Sequence, residues 1–222
     1  MFLMPASLRV LVAQGTTRPE RERREWAVRR GGAFRLDVSD IKLAQMLAVN
    51  DEIAKIPEAM LRRAARAGAR WEVVTGRGVT VHPDLAYLSG VQPKQWPPGL
   101  IWDDANGAGG DDGSGPMTIV VANGIGPGFT KAWNLILHEH GHTIDRALRC
   151  PFIRETWADF DGWESLHAAN IEAGLIGTAY ERAYPGEYWA ESFARYYCCM
   201  TGRITLPANV RAYFYDLAAS CA

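Results

Sequence analysis

Three of the five histidines in this 222-residue chain fall within five consecutive positions, His138-Glu139-His140-Gly141-His142. They lie in a stretch, Thr130–Leu148, whose apolar residues Trp133, Ile136, Leu137, Ile144 and Leu148 recur at helical spacing. This feature constrains the fold more than any other. Residues four apart share one face of a helix, so His138 and His142 can converge on a single metal ion. Glu139 stands beside them with a carboxylate able to take a proton from metal-bound water. Zinc with three protein ligands and one open position is the ion that suits this H-E-x-x-H pattern. Without an ion, two imidazoles on a buried helix face would carry an uncompensated polar cost. His140 points to another face and is expected to pack or to lie at the surface. Gly141 costs a helix about 1 kcal/mol relative to alanine, which implies that a neighbouring segment passes close to it.

One zinc per chain requires a third ligand. The extended motif with a third histidine is absent, because Asp145 and Leu148 stand in the relevant places. A carboxylate on a later helix is the alternative. Glu187-Tyr188-Trp189-Ala190-Glu191-Ser192-Phe193-Ala194 follows Pro185-Gly186 and places two glutamates four apart. One could bind zinc while the other accepts a hydrogen bond from a ligand imidazole. The aromatic residues Trp189, Phe193, Tyr196 and Tyr197 indicate that this helix is buried, where unpaired glutamates are costly. A tetrahedral intermediate also needs a hydrogen-bond donor. Tyr180 and Tyr184 are both candidates, and the residues alone do not choose between them.

The rest of the chain supplies a frame for this helix. Ser39 or Asp40 can cap a helix through Ile41, Leu43, Leu47 and Ala48, and Pro57 suits the first turn of another that Gly68 stops. Trp71–Thr75 and Met117–Ala122 read as strands, the second being the better. Seven glycines and three prolines between Ser89 and Gly115 predict long loops with a flexible tip at Asn106–Gly115. Helical segments are expected near 159–175, 186–200 and 207–219. The fold class is therefore α+β, mostly helical, with a small sheet preceding the H-E-x-x-H helix. Residues 1–35, with the mixed charged run Arg18–Glu25, read as a peripheral arm, and residues 36–222 as one domain.

Composition excludes several function classes. The net charge of −1 leaves no electrostatic footprint for nucleic acid. No window approaches the ~18 apolar residues of a membrane span. The apolar N-terminus lacks a basic leader and is interrupted by Pro5 and Arg9, so it makes no convincing signal peptide. Four cysteines, Cys150, Cys198, Cys199 and Cys221, are too few for a disulfide scaffold. They read as small, mostly buried thiols, and Cys198 and Cys199 are expected to diverge on a helix. A bridge from Cys150 to either would require export.

In three places the sequence resembles the lethal-factor-like zinc metallopeptidases, the family of the anthrax lethal factor catalytic domain and the Pro-Pro endopeptidases. Leu137–Asp145 matches the family's H-E-x-G-H followed by a small or apolar pair and Asp. Tyr180 precedes Glu187 by seven residues, the family's separation of catalytic tyrosine and zinc glutamate. Glu187-x-x-Ala-Glu191-x-Phe193 is similar to its E-x-x-A-E-x-F. Gly186 departs from the acidic residue that the Pro-Pro endopeptidases carry there. The resemblance implies a zincin-type fold with zinc on His138, His142 and Glu187, Glu139 as general base and Tyr180 on the oxyanion. Glu191 would then orient a ligand histidine. It also implies export as a possible destination, and peptide or protein substrates.

The reading is a monomeric zinc endopeptidase, with Met117–Ala122 as the strand that pairs with extended substrate. Trp96 or Trp102 could stack on that substrate or pack in the core. A protease that cuts one intracellular partner, using residues 1–35 to dock, is the first rival. A catalytically inactive zinc-binding module is the second.

Overall fold

The computed structural model describes residues 33–36, 48–49, 51–93, 96, 98–111, 115–121, 134–148 and 162–221. The expected helix from Ser39 to Ala48 lies mainly outside them, as do Trp133, Cys150 and residues 1–32.

Four strands, β1 (Ala33–Leu36), β2 (Arg70–Val74), β3 (Gly107–Asp111) and β4 (Pro116–Val121), form one layer in the order β1-β2-β4-β3. Strands β1 and β2 are parallel, and β2 is parallel to β4. Between β1 and β2 lies helix α1 (Glu58–Arg66), which begins after Pro57. It ends where Gly68 takes a φ of 82°, a left-handed geometry that suits glycine. Ala33–Arg35 pair with β2, so they belong to the sheet and not to the expected arm.

All six residues of β4 are buried, because the sheet is covered on both faces and the usual polar alternation disappears. On one face Trp71, Val73 and Val120 join the main core under the helices. On the other, Met117, Ile119 and Val121 meet Val79, Leu85 and Ala105, with Trp96 and Trp102 packed against them.

The structure corrects two expectations here. Residues 107–111 form strand β3 (Gly107–Asp111), antiparallel to β4, and not a loop tip. Glycine weakens a strand's own preference for extended structure, so only the tertiary contact reveals this one. Consequently β4 is an interior strand, and among the described residues β3 is the edge beside the main helix. Met117–Ala122 is therefore not the strand open to an incoming peptide.

The main helix, α2 (Leu135–Leu148), starts at Asn134, whose side chain accepts the Leu137 N–H at 3.0 Å. It packs on β3 and β4 and on the helix that carries Glu187 and Glu191. The C-terminal third is helical: α3 (Gly162–Glu172), α4 (Ala179–Ala183), α5 (Pro185–Cys198), α6 (Met200–Ile204) and α7 (Ala208–Cys221). Its core is aromatic. Trp163, Trp189, Phe193 and Phe214 are completely buried, and Trp189 stacks on Phe193 with centroids 5.1 Å apart. Burying each such side chain contributes roughly 1.5–3 kcal/mol, so this cluster anchors α5 firmly. Among the described residues no helix is long and apolar enough to cross a membrane.

Candidate active site

Helices α2 and α5 bring the sequence-derived residues together. The carboxylate oxygen Oε2 of Glu187, in the first turn of α5, lies 3.4 Å from His138 Nε2 and 3.6 Å from His142 Nε2. One donor atom from each of these three residues falls within 4.8 Å of the others. Asp145 is buried lower on α2 and is not part of this cluster.

The contact between the two helices depends on Gly141. A Cβ built there would lie 3.0 Å from Ala190 Cα and 3.3 Å from the Ala190 carbonyl oxygen. The glycine that costs α2 intrinsic stability thus allows the face carrying His138 and His142 to meet the face carrying Glu187. His140 turns away from the cluster, completely buried, with its ring centroid 4.0 Å from that of Trp71.

His138 uses both ring nitrogens. Its Nδ1 lies 3.3 Å from Glu191 Oε2, which fixes the ring and leaves Nε2 aimed at Glu187. Burial opposes a charged imidazole here. The hydrogen bonds to Glu187 and Glu191 and the charge of Glu139 overcome that cost, and the His138 pKa is pushed up to about 10. Glu187, despite burial, is held below the carboxylate range by its hydrogen bonds to His138 and His142. The pocket is therefore electrostatically built for a cation. Two imidazoles, a carboxylate and an orienting glutamate match what zinc requires, so the residues fit that ion.

Glu139 lies under the edge strand. Burial raises its pKa, while His138 and His142 pull it back and the Gly109 N–H donates to its carboxylate. The strand comes very close to it. A Cβ on Gly107 would fall 2.6 Å from Glu139 Cγ, and one on Gly109 would fall 2.0 Å from the Glu139 carbonyl oxygen. Sequence reading missed these two glycines. Their spacing of two, just ahead of the strongest strand, was the available signal.

Tyr180 sits on α4, 37% exposed, with its hydroxyl in hydrogen-bond reach of Glu187 and the Trp96 indole. Burial and the Glu187 charge raise its pKa, so the phenol keeps its proton. Tyr184 caps α5 and packs on the Tyr180 ring with centroids 5.1 Å apart. Trp96 serves two surfaces, since it also packs on Trp102 at 5.1 Å.

An ion network between half-buried Arg195 and two buried glutamates, also unseen in the sequence, backs this arrangement. Arg195 Nε lies 3.2 Å from Glu191 Oε1, and its Nη2 lies 3.3 Å from Glu181 Oε1. Glu181 also accepts the Thr178 hydroxyl at 2.7 Å. Arg195 thus ties α4, which carries Tyr180, to the carboxylate that orients His138.

Residues 36–214 match the family model described as anthrax toxin lethal factor, N- and C-terminal domain. The chain belongs to the anthrax lethal factor family. Within it, the chain is 29% identical over 157 residues to a Pro-Pro endopeptidase of Paenibacillus alvei. It is 30% identical over 155 residues to a Pro-Pro endopeptidase of Clostridioides difficile. These alignments cover 69% and 68% of this chain but 66% and 64% of the relatives. The fold matches the solved Pro-Pro endopeptidase PPEP-2 from Paenibacillus alvei with a TM-score of 0.65 and 25% identity, covering 85% of this chain and 97% of that one. The zincin-type α+β architecture expected from the H-E-x-x-H helix is therefore the family's own.

Proposed function

We propose that this chain is a zinc-dependent endopeptidase. The observation that carries the reading is the convergence of His138, His142 and Glu187 within 4.8 Å, next to a half-buried Glu139 held by an edge-strand amide. Its relatives are named Pro-Pro endopeptidases, which supports peptide or protein substrates.

One zinc ion held by His138, His142 and Glu187 would supply Lewis acidity and lower the pKa of a nearby water. Glu139 takes the proton from the attacking water. It then returns the proton to the leaving amine. Tyr180, kept protonated by its surroundings, donates a hydrogen bond to the carbonyl oxygen as negative charge develops there. Glu191 and Arg195 hold the His138 ring in place throughout.

Substrate binding falls to β3, the edge strand among the described residues, which runs beside Glu139. An extended peptide adds to this edge by backbone hydrogen bonds, and the absence of side chains on Gly107 and Gly109 lets the strand sit directly over the helix.

The decisive experiment combines metal analysis with cleavage of a peptide library, part of it containing paired prolines, read by mass spectrometry. Wild type is expected to hold one zinc and to cut. Glu139→Gln should keep the zinc and lose turnover. Full activity in that variant, or a wild type that neither holds zinc nor cuts, would overturn the proposal.

A further inference from the structure

Cys198 ends α5 and Cys199 begins the turn into α6. Neighbours on a continuous helix would point apart, and the sequence predicts just that. The structure differs because Cys199 leaves the helix for an extended conformation, φ −169° and ψ 166°, which swings its sulfur back to 3.3 Å from that of Cys198.

Both sulfurs are held in place. The Cys199 sulfur accepts the Gly202 N–H at 3.3 Å, and the Cys198 thiol donates to the Arg195 carbonyl at 3.6 Å. Gly202 closes the other side, since a Cβ there would lie 2.8 Å from the Cys198 sulfur and 2.6 Å from the Arg195 carbonyl oxygen. Cys199 is exposed and Cys198 half-buried. The Gly202 N–H and the Cys198 thiol lower the Cys199 pKa, whereas burial pushes Cys198 up to about 12.

A disulfide is a poor use for such neighbours. Their Cα atoms would sit about 3.8 Å apart, inside the roughly 4.4 Å minimum of an unstrained bridge. Chelation needs no such movement. With sulfur bonds of about 2.3 Å, a 3.3 Å separation gives an angle at the bound atom of about 90°. A tetrahedral ion would need sulfurs about 3.8 Å apart.

We propose that Cys198 and Cys199 form a chelating dithiol site for a pyramidal thiophilic centre, with trivalent arsenic as its chemical class. The site is separate from the histidine–glutamate cluster. It lies eleven residues along α5 from Glu187, about 16 Å at 1.5 Å per residue. With an organic arsenous oxide, both S–H bonds break and two As–S bonds form. The oxygen leaves as water with the two protons, and arsenic stays trivalent, so no oxidant is needed.

The test uses phenylarsine oxide on the reduced, full-length chain, read by native mass spectrometry in excess monothiol, which strips single-sulfur adducts. Wild type should retain one arsenical per chain and release it to 2,3-dimercaptopropanol. Cys198→Ser and Cys199→Ser should each weaken retention on the order of 100-fold or more, the loss of the second, intramolecular bond. Cys150→Ser and Cys221→Ser should retain it. Because Cys199 is exposed, its serine variant is the safer for folding, and circular dichroism checks that. No retention by wild type, or undiminished retention by a folded Cys199→Ser, overturns the site.

Discussion

Gly141 and Ala190 approach so closely that a β-carbon on the glycine would lie 3.0 Å from Ala190 Cα. The missing side chain at 141 lets α2 and α5 come this close, and Glu187 reaches both histidines across the same helix pair. Alanine at 141 would favour the isolated helix by about 1 kcal/mol, yet here the helices must part by a few tenths of an ångström. Gly141→Ala is expected to weaken zinc binding about tenfold, the scale of losses when a ligand's support is disturbed, with a smaller change in melting temperature. Competition titration with a chromophoric chelator measures it. Unaltered affinity would show that the helix pair can part without moving its ligands.

Arg195 offsets the charge of Glu181 and Glu191, both almost fully buried. Arg195→Met should destabilise the fold by about 1.5–3 kcal/mol, because two carboxylates lose a charged hydrogen-bond partner. Urea denaturation reads this directly. Adding Glu181→Gln to that variant should recover part of the loss. A double variant no better than the single one would remove Glu181 from the network.

For Tyr180→Phe, the expectation is a fall in kcat of about 10²–10³ with zinc content unchanged, the usual cost of losing one oxyanion donor. Single-turnover kinetics with a cleaved peptide provide the measurement. Full activity would shift attention to Tyr184.

The edge strand permits a further test. Gly109→Ala would place a Cβ 2.0 Å from the Glu139 carbonyl oxygen, so β3 must lift away from α2. Peptide cleavage should drop at least tenfold, with KM rising, while zinc stays bound. An unchanged KM would mean that substrate does not pair with β3.

Asp103 provides a pH dependence. The Gly90 N–H and the Thr80 and Ser89 hydroxyls hold its carboxyl down from 3.8 to about 2. The folded state thus binds this proton less readily than the unfolded chain does. The stability it contributes is present above the unfolded value and is lost as pH falls through about 2. Urea midpoints of wild type and Asp103→Asn should differ at pH 5 and converge by about pH 2. A constant gap would show that the contact is independent of charge.

The sequence by itself determined that His138 and His142 share one helix face with Glu139 beside them, because four-residue spacing on a helix is a local geometric fact that periodicity exposes. It also marked Glu187, Glu191 and Tyr180, though only the family spacing separated Tyr180 from Tyr184. Gly141 announced a close neighbour, since a helix tolerates such a residue only for a reason. What the tertiary structure decided were matters of non-local pairing. Strand β3 has little intrinsic strand preference and exists through β4 and α2, so its glycines read as loop. Its presence made β4 interior and, among the described residues, moved the sheet's edge to β3. Arg195 found its two carboxylates fourteen and four residues away, a choice of partner that composition leaves open. The Cys198–Cys199 sulfurs met because one residue left the helix, and a helix end is set by packing around Gly202 as much as by local sequence.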